Sequence, residues 1–97
     1  MTTHSDHHYS ITVQTPDLAI LYCLRALADY AQKTGNTRIT WGGTKKEDWM
    51  RNNQTVKFHF SQPAYRDDFV EEAIRVLPDG SWSNVRQDDN DPAVRKG

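Results

Sequence analysis

The chain has 97 residues, of which 36% are hydrophobic and 26% are charged, and its formal net charge at pH 7 is −1. This length favours one domain and excludes a multidomain enzyme, and the absence of any apolar run near ~18 residues excludes a transmembrane helix. The single Cys23 excludes an internal disulfide and, with a polar N-terminus that lacks a signal-peptide pattern, favours a reducing cytoplasm.

The first predicted elements are a strand and a long helix. Residues 9–15 alternate β-branched and polar side chains, which predicts a strand. The helix is predicted to follow with Thr15 as its cap, Pro16 at its first position and an end near Thr34. Its apolar face repeats every three or four residues and comprises Ile20, Leu24, Leu27 and Ala31.

The middle of the chain is predicted to contain two more strands. Residues 37–41 alternate again and predict a second strand. The polar stretch 44–53 predicts either a long hairpin loop or an extension of that strand. Residues 54–60 predict a third strand, whose apolar face comprises Val56, Phe58 and Phe60.

A second helix and a fourth strand are predicted in the last part of the chain. The helix begins with Pro63 at its first position and is closed by the turn at 78–80. A short strand is predicted at 81–86, and residues 1–8 and about 87–97 are predicted to be polar tails. The apolar stripe of this helix comprises Phe69, Val70, Ala73, Ile74 and Leu77.

The order strand, helix, strand, strand, helix, strand predicts the fold class. It is the order of the ferredoxin-like split βαβ arrangement. The sequence therefore predicts one α+β domain over residues 1–97, with a four-stranded antiparallel sheet and both helices on one face of that sheet.

Charge is strongly segregated along the chain. Residues 25–66 contain eight basic and three acidic residues, whereas residues 67–91 contain eight acidic and two basic residues. Such asymmetry indicates electrostatic partners, or else two halves that neutralise each other within the fold. The acidic residues of the second segment are Asp67, Asp68, Glu71, Glu72, Asp79, Asp88, Asp89 and Asp91.

No arrangement of residues in the sequence points to catalysis. The Gly42-Gly43 pair lacks the Lys-Ser/Thr that follows in a phosphate-binding loop. Cys23 falls on or beside the apolar face of the first helix, where a thiol is typically a small core residue. We therefore predict a protein that is not an enzyme and that has no cofactor and no metal site.

The third strand suggests one possible nucleic-acid interface. Residues 56–60 and the helix after them resemble the third strand and second helix of an RNA-recognition motif. The resemblance implies that Phe58 and Phe60 stack on single-stranded bases. Alternating phenylalanines on a strand that carries two helices are more often part of the core. The basic residues that would hold phosphates are Lys45, Lys46, Arg51 and Lys57.

Carboxylates on the second helix suggest a different interface. Asp68 and Glu72 share one row of the helix, and Asp67 and Glu71 share the neighbouring row. Side chains four residues apart on a helix lie ~6 Å from each other, close to the spacing of phosphates along a DNA strand. This pattern is typical of an ordinary solvated face, or of a surface that enters a groove lined with Lys and Arg.

In its size, its single α+β domain and its gathered carboxylates, the chain resembles the phage-encoded anti-CRISPR proteins, and among them the DNA-mimicking inhibitors of type I-F surveillance complexes. The resemblance implies a stoichiometric inhibitor in the bacterial host cytoplasm, with no membrane partner. Its partner would be the RNA-guided surveillance complex, engaged at the large subunit and neighbouring backbone subunits in competition with double-stranded DNA. The expected partner-binding residues are the eight acidic residues of segment 67–91.

Overall fold

The secondary-structure elements follow one another in the order β-α-α-β-α-β. The computed structural model describes residues 7–32, 46–51 and 53–93. The strands and helices are β1 (Tyr9–Gln14), α1 (Leu18–Ala31), α2 (Lys46–Arg51), β2 (Thr55–Phe60), α3 (Pro63–Val76) and β3 (Ser83–Asp88).

The first strand is the centre of the sheet. The strand order is β2-β1-β3, and both neighbours run antiparallel to β1. In the register with β2, Ile11 lies opposite Phe58 and Val13 lies opposite Val56. Since successive side chains of a strand point to opposite faces, these four residues share one face, and all of them are buried.

The two long helices cover that apolar face. Leu21 and Leu24 of α1 and Phe69 of α3 belong to the same buried cluster as the strand residues. The Phe69 ring lies 5.1 Å from the Phe58 ring and 5.6 Å from the Phe60 ring, centroid to centroid. Tilted aromatic rings at this separation add to the stabilisation that their burial provides. In the part of the chain that the structure describes, no helix combines the length and apolarity needed to cross a membrane.

The predicted ferredoxin-like arrangement is wrong. Within the described residues the sheet has three strands rather than four, and there are three helices rather than two. The strand predicted at 37–41 lies outside the described residues. The stretch 44–53, predicted to be a hairpin loop or a strand extension, contains the additional helix α2.

Local charge and one buried ring explain why α2 forms. Glu47 and Asp48 occupy its first turn and Arg51 its last turn, which is the arrangement that the helix dipole favours. Trp49 is buried, and its indole Nε1 donates a hydrogen bond to the carbonyl oxygen of Thr15 at 3.0 Å. The tertiary contact of Trp49, rather than a repeating pattern, therefore fixes this six-residue helix.

The observed starts of the two long helices agree only in part with the predicted ones. The start of α3 at Pro63 is confirmed. The cap of α1 is Asp17 rather than Thr15, since the Asp17 carboxylate accepts hydrogen bonds from the backbone N–H groups of Ala19 and Ile20. The Thr15 hydroxyl instead donates to the carbonyl oxygen of Ser81 at 2.8 Å and so ties the start of α1 to the chain before β3.

The last strand lies further along the chain than predicted. β3 spans Ser83–Asp88, and its pairing with β1 contains an irregularity between Thr12 and Val13. Beyond β3 the chain continues along the start of β1, where the Asp91 N–H donates to the His8 carbonyl at 2.8 Å and the Ala93 N–H donates to the His7 carbonyl at 2.9 Å. Residues 89–93 are therefore part of the folded domain.

Candidate protein-binding surface

Four of the predicted partner-binding carboxylates lie together on α3. Asp67 and Glu71 are exposed and lie one helical turn apart, and Asp68 and Glu72 form a half-buried row beside them. The four carboxylates fall within six residues, and the five steps from Asp67 to Glu72 cover about 7.5 Å of helix axis. We call this set the α3 carboxylates.

One of the α3 carboxylates has a basic neighbour on the same helix. Arg75 Nη2 lies 2.5 Å from Glu72 Oε2, one turn along α3. The hydrogen bond with Glu72 and the charge of Glu72 raise the pKa of the exposed Arg75 side chain. The positive charge of Arg75 offsets part of the negative potential at this end of the set.

Three of the α3 carboxylates form one wall of an open groove whose other wall is the end of α1. The groove is lined by Tyr30 and Ala31 from α1 and by Asp68, Glu71 and Glu72 from α3. The Tyr30 side chain is 76% exposed in this groove. A large aromatic ring and three carboxylates therefore lie around one concave surface.

Asp79 lies apart from this groove. It is exposed in the turn after α3, where Gly80 has a φ of +80° that favours glycine. It lines a second depression together with Trp82 and Ile74. The structure therefore does not place Asp79 with the α3 carboxylates.

Asp88 and Asp89 are held by partners within the fold. The Asp88 carboxylate lies 3.2 Å from the Arg86 guanidinium and accepts a hydrogen bond from the Asn90 N–H at 2.8 Å. The Asp89 carboxylate lies 2.7 Å from the guanidinium of Arg66. These contacts tie the end of β3 to itself and to α3.

Arg66 is the buried centre of that attachment. Its guanidinium donates to the carbonyl oxygen of Ser10 at 3.3 Å and to that of Asp88 at 3.0 Å, and it lies 6.0 Å from the centroid of the Tyr9 ring. In the sequence, Arg66 is recognisable only as one charge of the basic segment 25–66. Its spacing of three and seven residues from Phe69 and Ala73, both buried, was the signal that it faces inward.

Asp91 is bound to the open face of the sheet. Its carboxylate accepts a hydrogen bond from the Ser10 hydroxyl at 2.9 Å and lies 2.8 Å from Lys57 Nζ and 4.0 Å from His59 Nε2. Partial burial works against its charge, but the hydrogen bonds from Lys57 and Ser10 and the neighbouring Lys57 and His59 outweigh that cost. The net effect lowers the pKa of Asp91 below its ordinary value.

Replacing Asp91 with Asn is expected to destabilise the protein in a pH-dependent way. Because the folded state lowers the pKa of Asp91, its contribution is complete above the unfolded pKa of about 3.9 and is lost as the pH falls through the lower folded value. We expect Asp91→Asn to lose about 1 kcal/mol at pH 7 and nothing once the carboxylate is protonated. Urea unfolding of both proteins at pH 7 and pH 2.5 measures this difference.

The control for that prediction is Asp67→Asn, which neutralises an exposed carboxylate on α3. It is expected to change the free energy of unfolding by less than about 0.5 kcal/mol at either pH. A loss for Asp91→Asn that is equal at pH 7 and pH 2.5 would contradict the electrostatic account of the Asp91 site.

The fold therefore places the acidic residues of segment 67–91 in different surroundings. Asp89 and Asp91 pair with Arg66 and Lys57, which belong to the basic segment 25–66. For these two aspartates, the acidic and basic segments neutralise each other within the fold, which is one of the two alternatives that the sequence left open. The α3 carboxylates lie on the outer side of the helix layer, with Asp67 and Glu71 exposed.

The described residues of the predicted nucleic-acid interface do not lie on one common surface. Phe58 and Phe60 are completely buried beneath the helices, so neither ring offers a stacking surface for a base. Lys57 lies on the opposite face of the sheet, where it pairs with Asp91. Arg51 is exposed on α2, and Lys45 lies outside the described residues.

Helix α1 also has an exposed apolar face, which was not predicted from the sequence. Five residues of the helix that share this face are exposed, and the face is called the α1 stripe here. The signal for it was the helix sequence itself, since Arg25 and Asp29 are the only charged residues in its fourteen positions. Cys23, expected near the core, is one of the exposed residues. The α1 stripe comprises Ala19, Tyr22, Cys23, Ala26 and Tyr30.

Among residues 7–32, 46–51 and 53–93, no group of three or more His, Cys, Asp or Glu side chains is placed to hold a metal ion.

The chain was compared with known protein families, curated proteins and solved structures. None of these comparisons finds a match. Function therefore has to be argued from the surface itself.

Proposed function

We propose that the chain is a stoichiometric protein inhibitor that uses the α3 carboxylates to occupy a basic DNA-binding groove on an RNA-guided type I-F surveillance complex. In this proposal the inhibitor binds the large subunit and its neighbouring backbone subunits in the bacterial host cytoplasm. Bound there, it excludes double-stranded target DNA from the groove.

The observation that carries the proposal is the placement of the α3 carboxylates. Asp67 and Glu71 are exposed at a spacing of about 6 Å, near that of successive phosphates. Like charges one turn apart cost the isolated helix a few tenths of a kcal/mol per pair. Binding to a basic groove would offset this repulsion, and complementary charge would accelerate the association.

The experiment is a competition between the chain and duplex target DNA for the purified surveillance complex. The test variant carries Asp67→Asn, Asp68→Asn, Glu71→Gln and Glu72→Gln together. If each partly exposed charge pair contributes about 0.5 kcal/mol, the four changes lower inhibition about thirtyfold. The half-inhibitory concentration measured at low and at high salt gives both the loss and its ionic-strength dependence.

The control variant carries Glu47→Gln and Asp48→Asn. These changes remove two acidic charges from α2 and leave the charges of α3 unchanged. It should inhibit like the unchanged chain, and the chain alone should not retard the duplex in a gel. Equal inhibition by the folded four-carboxylate variant would contradict the proposal.

A further inference from the structure

The α1 stripe is an apolar face that the described part of the fold leaves in contact with solvent. Its members are separated by three, one, three and four residues, so they fall on one side of the helix. The opposite side carries Leu21, Leu24 and Ala28 into the core. The stripe is thus the outward face of a helix whose inward face is already in use.

The two tyrosines supply most of the exposed area of the stripe. Tyr22 is 51% exposed and Tyr30 76% exposed. With ~200 Å² for each aromatic side chain, the two rings leave on the order of 250 Å² in contact with solvent. A patch of this size is ordinary for a small protein, so a partner would be selected by the charged residues around it. The small residue Ala26 lies midway between the tyrosines and lets a partner backbone approach closely.

Charge around the stripe selects the kind of partner. At the Tyr30 end the stripe opens into the groove lined by Asp68, Glu71 and Glu72. On its other flank the Arg25 guanidinium lies 5.7 Å from the centroid of the Tyr22 ring, within the range of a cation–π contact, so this flank is basic and the Tyr30 flank is acidic. An apolar strip beside a carboxylate wall complements a helix with an apolar strip beside basic residues.

We propose that the α1 stripe and the α3 carboxylates together dock a basic amphipathic helix of a partner protein. The apolar side of that helix packs against Tyr22, Ala26 and Tyr30, and its Lys or Arg side chains reach the carboxylate wall. The inference rests on the proposed function, because it takes the partner to be a protein with a basic groove. It adds that recognition needs aromatic packing as well as charge.

A second copy of the chain fits this surface less well. If two α1 helices pack antiparallel about a two-fold axis, the α3 helices of both copies lie on the same side of the interface. Acidic side chains from both copies then lie on that side, and self-association lacks the charge complementarity that a basic helix supplies. Self-association is therefore an outcome that would overturn the inference.

The test uses a synthetic 18-residue helical peptide with leucine along one face and arginine beside it. Its affinity for the full chain is measured by fluorescence anisotropy. The Tyr22→Ser, Tyr30→Ser double variant is expected to bind it at least tenfold more weakly. The control variant Met50→Ser, which removes an exposed apolar side chain from α2, should bind like the unchanged chain.

The charge requirement is tested with a second peptide in which glutamate replaces arginine. This peptide is expected to bind at least tenfold more weakly than the arginine peptide, and Asp68→Asn with Glu71→Gln should narrow that difference. Equal binding of both peptides, or no effect of the tyrosine variant, would overturn the inference. A dimer of the free chain that the tyrosine variant abolishes, seen by light scattering, would also overturn it.

The competition assay separates this inference from the proposed function. If the tyrosine variant inhibits like the unchanged chain and the four-carboxylate variant does not, the proposed function stands and the helix-docking surface fails. If peptide binding depends on the tyrosines but no variant changes inhibition of DNA binding, the docking surface stands and the proposed function fails.

Discussion

A chain that ends at Gln87 is expected to be less stable than the full chain by about 3–5 kcal/mol. The deletion removes the Asp88 carbonyl and the Asp89 carboxylate, and so leaves the buried guanidinium of Arg66 without two of its partners. Leaving a buried charge without its partners costs about this much. It also removes Asp91 and its contacts with the open face of the sheet.

Thermal unfolding measures the effect, since 3 kcal/mol lowers the Tm of a domain of this size by more than about 10 °C. The matched control is a chain that ends at Ala93, which keeps both backbone hydrogen bonds to His7 and His8. It should unfold near the temperature of the full chain. A Tm within about 2 °C for the chain ending at Gln87 would show that residues 88–93 add nothing to stability.

Replacing Arg66 with Met is expected to cost about 3 kcal/mol. Methionine preserves much of the side-chain volume but donates no hydrogen bonds. The carbonyl oxygens of Ser10 and Asp88 then each lose a donor in a buried or half-buried setting, at about 1–3 kcal/mol per group. Urea unfolding of the variant gives this free energy directly.

The same helix supplies a matched control for Arg66. Arg75→Met also removes an arginine from an ion pair on α3, but the Arg75 side chain is 69% exposed. Its expected cost is below about 1 kcal/mol. Equal losses for Arg66→Met and Arg75→Met would refute the structural role of Arg66. When Arg66→Met is combined with the deletion after Gln87, the loss in the free energy of unfolding should be smaller than the sum of the two separate losses, because both changes remove the same contacts.

Local patterns in the sequence predict the elements that carry a strong repeat. β1 and β2 alternate apolar and polar side chains, and Pro63 marks the start of α3, so all three are found close to their predicted positions. α2 has only six residues, too few for a helical repeat to be recognised. β3 is exposed along almost its whole length and therefore lacks the alternation that identifies a strand.

The candidate surface was predictable to the extent that it lies on one element. The α3 carboxylates follow from helical spacing alone. Asp89 and Asp91, in contrast, belong to the same run of acidic charge, but their surroundings depend on Arg66 and Lys57, which come from other elements. Tyr30 joins the carboxylates only because α1 and α3 pack side by side, and no pattern within either helix specifies that packing.

The central position of β1 affects how the chain folds. The first of the described strands pairs with β2 and also with β3, the last of them in chain order. The contact between Ser10 and Asp91 joins residues 81 positions apart in the chain. Contacts over such separations cost loop-closure entropy before they stabilise anything, and they slow folding. On the ribosome, β1 therefore waits for nearly the whole domain to emerge before the sheet is complete on both of its sides.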